Sequence, residues 1–223
     1  MSIAASVRMV LAPPHRAGYP FLGLAAAAAV VGLFAAPWLI WLGVLFGAFC
    51  LYFFRDPERV PPPRAGLAIA PADGRVVDVS LVAPPPELDV GTEPVWRVAI
   101  FLSVLNVHVN RAPADATVTR IAYRHGKFLN ASLDKASTDN ERNALGLLLP
   151  DGRKMAVVQI AGLIARRILC DVGEGAVLRA GARFGIIRFG SRTDLYLPPG
   201  VFPLVAVGQT MVGGETVIAD LLA

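Results

Sequence analysis

Gly185-Ile-Ile-Arg-Phe-Gly-Ser-Arg-Thr-Asp-Leu-Tyr-Leu-Pro198 runs from an apolar, strand-like opening straight into the bond between Gly190 and Ser191. The apolar part, Phe184 to Phe189, has the length and texture of a buried strand. A Gly-Ser pair at its end is the ordinary mark of a turn or bulge. It also admits a chemical reading. Glycine lacks a Cβ, so its backbone tolerates strained geometry and close approach, and the hydroxyl of the following serine can attack the glycine carbonyl. The amide becomes an ester, β-elimination then breaks the chain, and hydrolysis of the resulting dehydroalanine leaves a pyruvoyl group. Gly190 and Ser191 are therefore a candidate self-cleavage site.

Outward from this stretch the same texture recurs. Short β-like runs lie at Arg75 to Val82, Val95 to Leu105, Ala116 to Tyr123, Lys154 to Ile160, Arg167 to Cys170, Phe184 to Phe189 and Val201 to Val207. Proline and glycine clusters such as Pro84-Pro-Pro86 and Pro198-Pro-Gly200 separate them. The pattern predicts a mainly β (α+β) fold, with residues 67–223 forming a sandwich or barrel-like body without repeated β-α-β units. Gly175 and Gly181 before Phe184 are echoed by Gly208 and Gly214 before Val217. Together with Ala70-Pro-Ala-Asp-Gly-Arg-Val-Val-Asp78 they resemble the hairpins of lipoyl-type β domains.

The N-terminal part has a different character. The 223-residue chain is 55% hydrophobic and only 17% charged, and its mean hydropathy is +0.56, too apolar for an ordinary soluble domain. From Ala17 to Phe54 no residue is charged. A single span needs about 20 residues, so this stretch is long for one crossing and short for two. Pro37 divides it, predicting a transmembrane or re-entrant helical hairpin over 19–54, with Trp38 and Trp41 near its tip as interfacial anchors. Residues 1–18 form a basic arm before it, and a proline-rich linker, 55–66, follows. Arg8, His15 and Arg16 on one flank, and Arg55, Arg59 and Arg64 on the other, place both ends on the cytoplasmic side of the inner membrane by the positive-inside rule. A formal net charge of +4 favours an anionic membrane surface as partner, whereas scattered basic residues without a binding motif argue against nucleic acid. Cys50 and Cys170 suggest neither a disulfide nor a metal site.

A serine that attacks an amide needs a base, and the base works best when a carboxylate orients it. The chain has three histidines: His15 in the basic arm, His125 in the polar stretch 124–143, and His108 at the end of an apolar run that can hold an imidazole rigidly. Asp73 opens a strand through an Asp-Gly pair.

Several ordered stretches resemble one family. Phe-Gly-Ser-Arg-Thr-Asp-Leu-Tyr-Leu-Pro at 189–198 is similar to the processing site of phosphatidylserine decarboxylases in their short prokaryotic form. Phe54-Arg-Asp-Pro-Glu-Arg59, Pro71-Ala-Asp-Gly74, Phe101-Leu-Ser-Val-Leu-Asn-Val-His108 with Arg111 and Pro113, Asn140-Glu-Arg142, and Gln159-Ile-Ala-Gly162 with Arg166 and Arg167 follow in family order. The resemblance covers roughly residues 50 to 218. It implies a pyruvoyl cofactor derived from Ser191, a large chain 1–190 with a small chain 191–223, and decarboxylation of phosphatidylserine in the membrane to phosphatidylethanolamine. It also implies that His108 lies beside the pyruvoyl group and that Asp73 is the carboxylate of the self-processing triad, without a metal. Long-form members carry a second histidine three positions after the first, the usual triad base. Here that position is Arg111, so the self-cleavage base stays open, and Arg111 becomes a candidate for the substrate carboxylate or phosphate. Asn140 and Arg142 are candidates for the substrate mouth.

Other classes share parts of the pattern. An ether-lipid analogue of phosphatidylserine would fit the same chemistry. A serine hydrolase would use Ser191, His108 and Asp73 on an external substrate, but the Gly-x-Ser-x-Gly elbow is absent. A membrane-tethered lipoyl-like binding module would leave the chain uncut. A homo-oligomer is compatible with each of them.

Overall fold

A computed structural model describes residues 12–126, 140–162, 167–188 and 191–222. The chain divides into two compact units, Met1–Glu58 and Arg59–Ala223.

In the first unit a 3-10 turn, Arg16–Gly18, leads into helix α1, Tyr19–Phe34, and helix α2, Trp38–Phe53, returns beside it. Pro20 stands in the first turn of α1, where its missing N–H leaves no bond unmade. The helix stops before Pro37, because a residue preceding proline is pushed out of helical conformation. A Cβ on Gly43 would lie 2.6 Å from the Ala25 carbonyl oxygen, so the two backbones approach as only small residues allow. The open ends of the pair are tied by the amide of His15 donating to the Phe54 carbonyl at 2.7 Å and that of Asp56 to the Pro13 carbonyl at 2.9 Å. Leu33, Phe34, Trp41 and Leu45 stay exposed, so apolar side chains face outward all round, which calls for a non-aqueous neighbour. By length and composition Arg16–Phe34 can cross a membrane, and α2 is a shorter apolar helix.

The second unit is mainly β, its largest sheet curled into a half-barrel. The strands are β1 (Leu67–Ile69), β2 (Gly74–Val82), β3 (Val95–Leu102), β4 (Val109–Arg111), β5 (Ala116–Arg124), β6 (Arg142–Leu148), β7 (Lys154–Ala161), β8 (Ile168–Cys170), β9 (Val177–Leu178), β10 (Arg183–Ile187), β11 (Ser191–Tyr196), β12 (Thr210–Met211) and β13 (Val217–Asp220). Eight of them form one sheet in the order β12-β2-β3-β11-β7-β6-β5-β9, three form β4-β10-β8, and β1 pairs with β13. Val98, Ile100, Leu145, Val157 and Leu195 from one face of the large sheet meet Phe184 of β10 and Ile218 of β13 in the main core. A smaller cluster on the opposite face gathers Val158, Ile160 and Tyr196 under Leu88 and Val90.

The strands β1, β4, β6, β9, β12 and β13 are not among the expected runs, and three further elements differ from the sequence-based expectation. The run from Val95 ends at Leu102, and Ser103–Asn106 is a turn in which the Asn106 amide donates to the Ser103 carbonyl at 2.9 Å. Val201 to Val207 is no strand. Pro203 lacks an N–H for a ladder, and Phe202, Leu204 and Val207 stay exposed. Ser191–Tyr196, with few apolar residues, is nevertheless a central strand buried along its whole length.

Candidate active site

Ser191 opens β11 in register with Leu102 of β3 and Ala161 of β7. It is fully buried, and its Oγ has no hydrogen-bond partner among the described residues. An unsatisfied buried hydroxyl costs about 1–3 kcal/mol, which makes this oxygen a candidate for a functional role. Gly190, the other half of the expected cleavage site, lies outside the described residues, as do Phe189, Arg166 and most of the polar stretch between β5 and β6.

His108 follows the turn after β3 and is likewise buried. Its Nδ1 lies 2.9 Å from the carbonyl oxygen of Asn106. A carbonyl can only accept, so Nδ1 carries the proton and, in the neutral ring, Nε2 carries the lone pair. The side chain of Asn106 braces the turn, accepting from the amide and the hydroxyl of Ser103, both at 2.8 Å. The carbonyl of His108 accepts the amide of Ile187 at 3.2 Å. Hence the segment from Leu102 to His108 is held at one end against Ser191 of β11 and at the other against Ile187 of β10.

Asp73 precedes β2, and its carboxylate accepts Arg59 Nη2 and the Gly213 amide, each at 2.8 Å. Arg111, at the end of β4, is buried and donates Nη1 to the Gly181 carbonyl at 3.0 Å. A Cβ on Gly214 would meet Arg111 Cδ at 2.8 Å and Arg59 Cβ at 3.2 Å. With a φ of 84° at Gly214 as well, only glycine lets this turn sit against both arginines. Asp73, Arg59 and Arg111 thus surround the turn 212–215.

A phosphatidylserine decarboxylase family model matches residues 46–219, most of the second unit and its approach. The chain belongs to the phosphatidylserine decarboxylase family. Relatives named phosphatidylserine decarboxylase proenzyme include one from Granulibacter bethesdensis, 72% identical over 99% of this chain and 91% of the relative. Another from Gluconacetobacter diazotrophicus is 69% identical over 99% of this chain and 100% of the relative. A third, from Gluconobacter oxydans, is 65% identical over the same shares.

Within this member of the decarboxylase family, the expected mouth residues fall in different places. Asn140 is buried and donates Nδ2 at 2.7 Å to the carbonyl of Ala161, the register partner of Ser191 on β7. Arg142 pairs with Ile160, and its guanidinium engages the Glu87 carboxylate. Side chains alternate across a strand. Asn143 shares the face of Gln159, Ala161 and Ser191, so Arg142 projects from the opposite face.

That opposite face also carries a buried ion pair one residue beyond Ser191. Arg192 donates Nε and Nη2 to Asp194 at 2.6 and 2.9 Å. Burial pushes the Asp194 carboxyl up against the opposing pull of the guanidinium.

Four residues of the site were given no role in the sequence reading, although Gln159 and Thr193 lie within stretches it quoted. Asn143 Nδ2 donates to Gln159 Oε1 at 2.9 Å, Gln159 Nε2 to Asn110 Oδ1 at 2.7 Å, and Asn110 Nδ2 to Thr193 Oγ1 at 3.4 Å. All four are buried. This amide ladder crosses from β6 and β7 to β4 and back to β11, fixing the strand after His108 against the strand that begins at Ser191. Its signal in the sequence is a lone amide inside an apolar strand, Val-Val-Gln159-Ile-Ala and Val-Asn110-Arg, where nothing but a buried partner makes a polar side chain acceptable.

Proposed function

We propose that this chain is the proenzyme of a membrane-associated phosphatidylserine decarboxylase that cuts itself between Gly190 and Ser191. The observation that carries the reading is the buried, unpartnered Ser191 Oγ at the head of the central strand. In the self-cleavage, Oγ attacks the Gly190 carbonyl carbon, and the C–N bond between Gly190 and Ser191 is exchanged for a C–O ester. Loss of the Ser191 Cα proton then expels the Gly190 carboxylate, which becomes the end of chain 1–190. Water replaces the nitrogen of the remaining dehydroalanine, releasing ammonia and leaving a pyruvoyl group at the head of chain 191–223.

The surroundings of Ser191 suit such a group, since they are enclosed and leave a small oxygen substituent unclaimed by the described residues. A pyruvoyl group supplies an electrophilic carbonyl that bonds a primary amine and draws off the electrons of the adjacent carboxylate bond. The chain's own residues do the rest. The Asn106 carbonyl holds the His108 ring as its Nδ1–H tautomer, leaving Nε2 to carry the proton that replaces the lost carboxylate on the substrate carbon. Asp73, whose carboxylate accepts Arg59 and the Gly213 amide, is in this reading the carboxylate of the self-processing triad. Asn140 fixes the Ala161 edge of the mouth, and Arg111 lends positive charge on the side of the turn 212–215. The apolar helix pair holds the protein at the inner membrane with the β unit on the cytoplasmic face, as the basic residues on both flanks imply.

Intact-mass spectrometry of the purified protein tests the reading. Two chains, 1–190 and 191–223, the smaller without a free amine, and carbon dioxide released from labelled phosphatidylserine are expected. Ser191→Ala should stay a single inactive chain. An uncut wild-type chain that still releases carbon dioxide would overturn the mechanism.

A further inference from the structure

Glu141 takes part in none of the chemistry above, yet it is buried at the end of the large sheet where Ser191 begins. Its Oε1 accepts two donors from different elements, the Tyr123 hydroxyl of β5 at 2.7 Å and the amide of Ile168, which opens β8, at 3.1 Å. Its main-chain carbonyl accepts the Ala161 amide at 2.9 Å. One residue therefore ties the ends of β5 and β7 to the start of β8.

Two of these contacts bear on Ser191. The Ala161 amide goes to Glu141 and the Ala161 carbonyl accepts Asn140 Nδ2 at 2.7 Å, so both main-chain groups of Ala161 are directed at residues 140 and 141. On its other side Ala161 faces Ser191, its register partner, as a pair without mutual hydrogen bonds, the kind in which opposite side chains come closest. Ala161 is thus the near wall of Ser191 on β7. Ile168 extends that wall, since Ala161, Ile168 and Ile187 form one buried apolar cluster. Ile187 in turn donates its amide to the His108 carbonyl. Glu141 holds two members of the cluster, and the third is fastened to His108. Both donors on Oε1 are neutral, so the contact requires an acceptor oxygen at the right reach, which an amide of the same length also supplies.

We propose that Glu141 is a positioning residue for Ser191, fixing through Ala161 and Ile168 the wall against which Ser191 Oγ is aimed before the cut and which encloses position 191 after it. The effect on cleavage and turnover rests on the decarboxylase reading above, whereas the wall itself does not.

The test uses the full-length protein. Self-cleavage is timed in freshly synthesised chains, and carbon dioxide release from phosphatidylserine is measured on the processed form in vesicles. Glu141→Asp, which keeps the charge and shortens the reach, should slow both by about tenfold or more, within the ~10² that a misplacement of about 1 Å can cost. Glu141→Ala should do the same. Glu141→Gln, which keeps the reach and loses the charge, should stay within about threefold of wild type, because its amide oxygen accepts the same two donors. Leu178→Ala is the control for a purely structural loss, in edge strand β9 at the other end of β5, and should leave both rates per folded molecule near those of wild type. The wall is also read without any turnover. In uncut Ser191→Ala protein, adding Glu141→Asp should speed hydrogen exchange of the amides at 191–193 about tenfold more than adding Leu178→Ala does, and adding Glu141→Gln should not. If Glu141→Ala fails to fold, the contrast between Asp and Gln still decides. The reverse order, Asp near wild type and Gln slow, would make charge rather than position the contribution and overturns the proposal, as does a response no larger than that of Leu178→Ala. Exchange that responds in a protein that neither cuts itself nor releases carbon dioxide defeats the decarboxylase reading alone. Normal cutting and turnover, with exchange indifferent to residue 141, defeats the positioning role alone.

Discussion

His108 is held by an acceptor that cannot change its role, the backbone carbonyl of Asn106, which keeps a proton on Nδ1. If Nε2 carries the proton to the substrate carbon, His108→Ala should lower turnover of the processed enzyme by about 10² or more. Turnover within about threefold of wild type would remove His108 from that step. Two tyrosines offer a separate measurement. Burial, reinforced by the Glu141 carboxylate, pushes Tyr123 up to about 12. Burial with the nearby Asp194 does the same for Tyr196. A phenol whose folded pKa is raised contributes stability that is fully present below its unfolded value of 10.0 and is lost as pH rises toward about 12. Of the four tyrosines in the chain, Tyr123 and Tyr196 should therefore ionise only near pH 12 or together with alkaline unfolding. Phenolate absorbance measured against circular dichroism checks this, and the loss of a tyrosine transition near pH 10 in Tyr123→Phe, relative to wild type, would contradict it.

At the scale of elements, the strand that matters most is the one least visible beforehand. Phe184 to Phe189 reads as a strand from its apolar residues, and the helix pair reads from an uncharged stretch broken by Pro37. Ser191–Tyr196 has no such pattern, because Ser191, Thr193, Arg192 and Asp194 put polar groups on both of its faces. Burial there is made acceptable by partners that lie far away in sequence, Asn110 for Thr193 and a local ion pair for Arg192. Hydrophobic periodicity carries no trace of such pairings, whereas the Gly-Ser bond and His108 became candidates through residue type together with the family resemblance of the stretches that hold them. Arg142 shows the converse error, since a motif neighbour of Asn140 lands on the other face simply because side chains alternate. The ladder makes a specific demand. Gln159→Leu leaves the Asn143 amide and the Asn110 oxygen without their partner, and each orphaned group costs about 1–3 kcal/mol. Denaturant unfolding of the purified protein should show a loss of about 2 kcal/mol or more. Turnover per folded molecule should fall as well, because β4 is no longer pinned to β11. Unchanged stability would mean that these amides are satisfied elsewhere.

For the whole molecule, the position of the proposed cut has a consequence that its chemistry alone does not contain. Chain 191–223 would carry β11, β12 and β13, which pair with β3 and β7, with β2, and with β1 respectively. It also brings Leu195, Leu197, Val201, Met211, Ile218 and Leu221 into the main core. At about 1.5–3 kcal/mol for each fully buried side chain of this kind, the small chain accounts for on the order of 10 kcal/mol of apolar burial. Withdrawing a strand from the middle of the sheet would expose the edges of both β3 and β7, so the small chain can leave only when the domain unfolds. Cleavage should therefore free one terminus at Ser191 while the register that positions it against Leu102 and Ala161 persists. We expect both chains to comigrate as one species in native mass spectrometry and in size exclusion in mild detergent, and to separate only in denaturant. The release rate should match the global unfolding rate measured on the same protein. If the small chain dissociates from processed protein well below the unfolding transition, either the cut lies elsewhere or β11 does not keep its central place after processing.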